Sequence, residues 1–158
     1  MVILKSSRAI GSTLGLGTHV WLEIELLGKE RITYSGSKMG NLLGIIKNYK
    51  RDYDKPAHRG FVEIDAPHGF SQHEWDQAVL ASAEHLIKTK HQQLVFDGNF
   101  PYRSGRGNCC TIATEIIETA GGCIPKKRLR GFTPGLKMQC KKLSNRKCLS
   151  AVSIERTS

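Results

Sequence analysis

Residues 107–122 read Gly-Asn-Cys-Cys-Thr-Ile-Ala-Thr-Glu-Ile-Ile-Glu-Thr-Ala-Gly-Gly. Apolar residues follow Cys109 at offsets of 3, 4, 7, 8 and 11 positions, which places them on one face of an α-helix. The glycine and asparagine before the cysteines favour a turn, and the double glycine at 121 and 122 is typical of a helix end. The sequence therefore predicts an amphipathic helix with Cys109 in its first turn.

A cysteine in the first turn of a helix is well placed to act as a nucleophile, because free backbone N–H groups and the helix dipole stabilise a thiolate there. Cys109 shares the spacing of the apolar stripe, whereas Cys110 is rotated by about 100° around the helix axis. We therefore predict that Cys109 faces a sheet and is the nucleophile, while Cys110 packs or faces solvent. The alternative is that Cys109 is a small core residue.

A second informative stretch, residues 19–26, reads His-Val-Trp-Leu-Glu-Ile-Glu-Leu. Its strict alternation predicts a half-buried β-strand, with His19 and Trp21 on the face opposite the aliphatic residues. A turn at Gly28-Lys29 and a return strand over 30–35 would complete a hairpin. Since imidazole can take a thiol proton and return it to a leaving group, His19 is the candidate base; a surface histidine on a strand is the alternative.

Both stretches resemble parts of one known family. The run Asn-Cys-x-x-Ile-Ala-x-x-Ile-Ile-x-x-Ala-Gly at 108–121 resembles the nucleophile helix of NlpC/P60 cysteine peptidases. Residues 18–24, with the later Tyr-Ser-Gly at 34–36, are similar to the histidine strand of that family and the strand after it. Because the cysteine helix comes last here, the order resembles the circularly permuted branch, which includes lecithin-retinol-acyltransferase-like, PPPDE and YiiX-type proteins.

The resemblance implies an α+β, papain-like fold in which an antiparallel sheet packs on the N-terminal end of the nucleophile helix. It implies Cys109 as nucleophile, with its backbone N–H in an oxyanion hole, and His19 as base. The family often has a third polar residue on the next strand that orients the imidazole. Thr33, Tyr34 and Ser35 match that position, and we choose Ser35, although the hairpin register is not set by sequence. Trp21, on the same strand face as His19, is a candidate substrate contact.

The functional prediction is a cysteine hydrolase, a thiol peptidase or amidase, that cleaves an amide bond in a peptidoglycan peptide. A small basic domain of this type resembles bacterial antagonistic effector toxins, for which an immunity or inhibitor protein would be a partner. One alternative keeps the site and changes the chemistry to acyl transfer or to thioester or lipid hydrolysis. Another is a basic module whose residues 125–158 bind nucleic acid or protein.

Length and charge agree with this prediction. The chain has 158 residues, 24 basic and 14 acidic, for a net charge of +10. We expect one catalytic domain over 1–158, with 125–158 as its basic C-terminal extension. Such a charge favours an anionic partner such as the cell wall, and few aromatic residues accompany the basic ones, which argues against nucleic acid.

The sequence lacks a long apolar run and the layout of a secretory signal. We therefore expect no membrane span, synthesis in the bacterial cytoplasm, and secretion by a signal-independent route to a target-cell periplasm.

The five cysteines are an odd number. Cys109 and Cys110 are adjacent and would bridge each other only with strain. Cys123, Cys140 and Cys148 are candidates for one disulfide, with the pairing left open. There is no CxxC motif and no finger-like spacing of histidines, so we predict no metal and no cofactor.

The remaining patterns predict secondary structure. Residues 38–50 suggest a short helix, and residues 60–65 and 93–97 suggest strands. Ser71 and Glu74 form a capping box at the start of a helix that runs to about Lys90. Its predicted buried face consists of Trp75, Val79, Ala83, Leu86 and Ile87.

Overall fold

The computed structural model describes residues 1–8, 18–26, 30–39, 42–54, 57, 59–90 and 109–125. These ranges contain β1 (Val2–Arg8), β2 (Thr18–Glu25), β3 (Arg31–Met39), β4 (Leu42–Lys47), α1 (Lys50–Asp54), β5 (Phe61–Ile64), α2 (Gln72–Lys90) and α3 (Cys109–Thr119). The fold class is α+β, as predicted. The strand predicted at 93–97, the turn at Gly28-Lys29 and nearly all of the basic extension lie outside the described residues.

The strands form one five-stranded antiparallel sheet in the order β4-β3-β2-β1-β5. The histidine strand β2 lies at its centre, between β1 and β3. The hairpin of β2 and β3 is confirmed, and its register pairs Trp21 with Ser35 and Ile24 with Ile32. Strand β1, which the sequence patterns did not predict, pairs along β2 from Val2↔Ile24 to Arg8↔Thr18.

Helices α2 and α3 pack on one face of this sheet. Alternate residues of β2 (Val20, Leu22 and Ile24) are fully buried beneath them. The helices contribute the following residues to the same core: Trp75, Val79, Ala83, Leu86, Cys110, Ile112, Ala113, Ile116 and Ile117. The Ser82 hydroxyl on α2 donates a hydrogen bond to the carbonyl oxygen of Ile116 on α3 at 2.9 Å, which joins the two helices.

The predicted ends of both helices are confirmed. Ser71 and Glu74 form the capping box: the Glu74 N–H donates to the Ser71 hydroxyl at 3.2 Å, and the Ser71 N–H donates to the Glu74 carboxylate at 2.8 Å. At the end of α3, Gly121 has a φ of 87°, a conformation that favours glycine. Within the described ranges, no helix is both long and apolar enough to cross a membrane.

The helix predicted over residues 38–50 is wrong. This segment contains the end of β3 and all of β4, an antiparallel partner of β3 with Ile45 opposite Gly36, and α1 begins only at Lys50. A short run of apolar residues fits a strand as well as a helix. Pairing with β3 resolves that ambiguity in favour of the strand.

The prediction that β2 is half-buried is also wrong. His19, Trp21 and Glu23 on the face away from the long helices are 9%, 1% and 1% exposed. The Glu23 carboxylate is balanced by ion pairs with Lys5 and, at 3.8 Å, with Arg31. The alternation in β2 therefore tells us which face is polar and which is apolar. It does not tell us which face is exposed, because both faces are buried.

Candidate active site

The N-terminal end of α3 meets β2 beyond the point where the pairing of β2 with β3 ends. That pairing stops at Trp21 and Ser35, whereas β2 continues beside β1 as far as Thr18. The Cys109 sulfur lies 3.9 Å from the carbonyl oxygen of Thr18, and the backbone N–H of Val20 donates to the same sulfur. The end of the pairing between β2 and β3 thus leaves backbone groups of β2 available to the cysteine.

Gly36 allows this close approach of the helix to the sheet. A Cβ atom at Gly36 would lie 2.8 Å from Cγ1 of Ile112 and 2.9 Å from the Cα of Cys109, both shorter than normal contact distances. Only a residue without a side chain fits between β3 and the first turn of α3. The glycine therefore helps to set the position of the Cys109 sulfur.

The structure brings Cys109 and His19 together. Their side chains interact closely enough that each shifts the pKa of the other, although the two residues are 90 positions apart in the sequence. A hydrogen bond from Cys110 lowers the pKa of Cys109, burial opposes that effect, and the hydrogen bond and charge of His19 and the Val20 N–H lower the pKa further. The pKa of Cys109 consequently lies well below its ordinary value, which favours the thiolate.

Asp52 is the third member of this arrangement. Its Oδ1 atom lies 2.8 Å from Nε2 of His19, and its side chain is buried. Nδ1 is thus the ring nitrogen left for Cys109. Burial acts to lower the pKa of His19, but the hydrogen bond that its ring donates to Asp52 and the interactions with Cys109 outweigh burial and raise the pKa to about 9. A Cys109 thiolate and a His19 imidazolium can therefore coexist at neutral pH.

The predicted orienting residue, Ser35, does not occupy this role in the structure. Its side chain is buried opposite Trp21, and its hydroxyl has no hydrogen-bond partner among the described residues. Of the other two positions considered, Tyr34 belongs to the core beneath the helices and Thr33 lies opposite Glu23. The group that contacts the imidazole comes from α1 and not from the strand after the histidine.

Trp21 is placed differently from a substrate contact. It is 1% exposed and stacks on the His19 ring, with the ring centroids 5.8 Å apart and the planes 20° from parallel. Such packing restricts rotation of the imidazole and leaves no free indole face for a ligand. Trp21 therefore holds His19 in place in this structure.

No pattern in the sequence pointed to Asp52. It lies in the middle of a five-residue helix, α1, that contains four charged residues, and the segment just before it was predicted to be a helix rather than a strand. A buried carboxylate beside a strand histidine is recognisable only once α1 is known to lie next to His19 of β2.

The described cysteines differ in state. Cys109 and Cys110 are free thiols; Cys109 is half-buried, whereas Cys110 is 1% exposed and belongs to the core. Cys123 is disulfide-bonded. The two other candidates for that bond, Cys140 and Cys148, lie outside the described residues. The accessible thiol of the pair is thus the one that contacts His19.

Comparison of the chain with protein-family profiles, with curated proteins and with solved structures finds no match.

Proposed function

We propose that the protein is a cysteine hydrolase that cleaves an amide bond, with Cys109 as nucleophile, His19 as acid and base, and Asp52 as the residue that orients the imidazole. The observation that carries the proposal is the contact of a half-buried helix N-terminal thiol with a buried histidine that is itself bound to a buried carboxylate. A nucleophile, a base and an orienting group in this sequence of contacts are the parts of a catalytic triad.

The chemistry follows from the two pKa shifts. The Cys109 thiolate would attack the amide carbon, forming a C–S bond while the carbonyl π electrons move to oxygen. The backbone N–H of Cys109, at the first position of α3, is available to that oxyanion. Collapse of this intermediate would break the C–N bond as His19 gives its proton to the leaving amine. Water, deprotonated by His19, would then attack the acyl carbon, and the C–S bond would break to release the acid and Cys109.

The order of elements supports a papain-like fold of the permuted NlpC/P60 type as part of the proposal. A histidine on a central antiparallel strand precedes the last described helix, whose first residue is the cysteine. In this proposal the residue that orients His19 is Asp52 of α1 and not Ser35 of the strand after the histidine. This is the one change from the arrangement that the resemblance implies.

A peptidoglycan peptide is the proposed substrate, because the chain carries a net charge of +10 and the bacterial wall is anionic. The disulfide at Cys123 favours an oxidising compartment such as a periplasm as the place of action. We accordingly propose an antibacterial effector, with an immunity protein as its inhibitor.

Mass spectrometry of fragments released from purified peptidoglycan tests the proposal. We expect new amine and carboxylate ends with the wild-type protein and none with Cys109→Ala, whereas Cys110→Ser, the control one position away that keeps a hydrogen-bond donor beside Cys109, should retain cleavage. Equal release by the wild type and Cys109→Ala would overturn the mechanism. A stable acyl adduct on Cys109 with a lipid donor, and no cleavage of wall peptides, would instead favour acyl transfer or lipid hydrolysis.

A further inference from the structure

Three arginines lie at the end of β1 and β2 where the Cys109 sulfur is placed. Arg8 ends β1 and pairs with Thr18, whose carbonyl oxygen is 3.9 Å from that sulfur. Nη1 of Arg59 donates a hydrogen bond to the Thr18 hydroxyl at 2.8 Å. Nη2 of Arg51 donates to the carbonyl oxygen of Arg8 at 3.3 Å. We call these three residues the arginine cluster.

The charges around this cluster are unequal. The described residues whose contacts place them here are the three arginines and one carboxylate, Asp52, which is engaged by His19. Because the thiolate and the imidazolium cancel each other, these described residues leave an excess of positive charge beside Cys109.

One atom of the cluster is without its expected partner. Nε of Arg51 is buried and has no hydrogen-bond acceptor within the described ranges, although a buried guanidinium N–H normally has one. An anion bound beside Arg51 would supply that acceptor. A carboxylate suits this place, because guanidinium groups bind carboxylates with paired, charge-assisted hydrogen bonds.

We propose that the arginine cluster binds a carboxylate of the substrate next to the amide that Cys109 attacks. The substrate class is then a peptide with a free carboxylate within one or two residues of the scissile bond. This inference rests on the proposed amide hydrolysis, and it adds a specificity that hydrolysis alone does not require.

Alkylation of Cys109 tests the cluster without any substrate. Iodoacetate and iodoacetamide react alike, with formation of a C–S bond and loss of iodide, but only iodoacetate carries a carboxylate. We expect the ratio of the iodoacetate rate to the iodoacetamide rate to fall roughly 3- to 10-fold in the double variant Arg8→Gln/Arg51→Gln. Lys88→Gln on α2, which removes one positive charge where the double variant removes two, should leave the ratio unchanged, and thermal unfolding verifies the fold of each variant.

The same ratio measured on the wild type at rising salt is a second test that needs no variant. It should fall between low and high ionic strength if the excess charge acts at Cys109. A ratio that is insensitive both to salt and to loss of the two arginines overturns the inference.

A matched pair of wall peptides separates this inference from the proposed function. Wild-type protein should cleave the free-acid peptide with a lower KM than its carboxamide, and the double variant should remove most of that difference. Equal KM values for the two peptides in the wild type overturn the inference and leave the hydrolase intact. No cleavage of either peptide, with the alkylation ratio still dependent on the arginines, refutes the hydrolase and leaves the anion site.

Discussion

At the scale of single residues, the reactivity of Cys109 depends on groups from three different elements. Val20 and His19 belong to β2, Asp52 to α1, and Cys110 to the same helix as the nucleophile. Each of them favours the charged pair of thiolate and imidazolium over the neutral pair, against the cost of burial. The Asp52 carboxylate acts on the pKa of His19 and not directly on that of Cys109. Its effect can therefore be measured apart from the others.

The change Asp52→Asn should narrow the pH range of activity. Activity needs Cys109 deprotonated and His19 protonated, so it should fall as pH rises through the pKa of His19, about 9. Because Asp52 raises that pKa, its loss should move the alkaline limb of kcat/KM to lower pH and reduce kcat/KM about 10- to 100-fold at pH 8. A pH profile of peptide hydrolysis measures both effects.

Ser35→Ala is the matched control for that change. The Ser35 hydroxyl is buried without a hydrogen-bond partner among the described residues, so its removal should leave the alkaline limb in place. A shift of the limb in Ser35→Ala but not in Asp52→Asn would restore Ser35 as the orienting residue and exclude Asp52.

At the scale of elements, the important feature is how α3 is anchored at both ends. Its first turn lies against Gly36 of β3, and the turn after its last residue places Gly122 against the ring of Trp75 on α2. At both glycines a Cβ atom would lie too close to its neighbours. The helix is therefore held at both ends, but only its first end carries the candidate nucleophile.

Gly36→Ala should change both the stability of the protein and the position of the first turn of α3. The added methyl group has to displace Ile112 or the Cys109 backbone, which should cost about 1–3 kcal/mol in the free energy of unfolding and move the sulfur away from His19. We expect slower labelling of Cys109 by iodoacetamide at pH 7, since the thiolate fraction falls. Chemical denaturation and labelling rates measure the two effects on one sample.

Gly122→Ala is the comparison at the other end of the same helix. The new methyl group meets the Trp75 ring and should destabilise the protein by a similar amount, about 1–3 kcal/mol, while Cys109 keeps its reactivity. If both variants slow Cys109 labelling equally, the effect of Gly36 is one of general stability and not of local placement.

At the scale of the whole molecule, the sheet is buried on both faces at its centre. The apolar face lies beneath α2 and α3, and the polar face holds the buried Glu23 with Lys5 and Arg31. The disulfide at Cys123, just after α3, adds a covalent link between this region and a part of the chain outside the described residues. The covalent link and the candidate nucleophile thus involve different cysteines.

Reduction of the disulfide should lower stability without removing the reactive thiol. Cys123→Ser should reduce the free energy of unfolding by about 2–4 kcal/mol, because a cross-link restricts the unfolded chain. Thermal unfolding with and without dithiothreitol measures this, and the variant should be insensitive to the reductant. A wild-type melting temperature that does not respond to full reduction would contradict the prediction.

The sequence by itself determined the local elements of this protein. Periodicity of 3.6 residues and two glycines define α3, a Ser-x-x-Glu pattern starts α2, and alternation marks β2. These signals are readable because each depends on interactions between residues a few positions apart. The choice of Cys109 and His19 also came from such local signals, together with the family resemblance.

Only the tertiary structure decided which groups surround those two side chains. Asp52 reaches His19 across 33 positions, Gly36 meets α3 from a distant strand, and residues 42–47 become a strand because β3 offers a partner. Burial of the polar face of β2 likewise depends on the charges of Lys5 and Arg31. Long-range contacts of this kind leave no periodic trace in the sequence, because the energy that fixes them arises only when separate segments pack together.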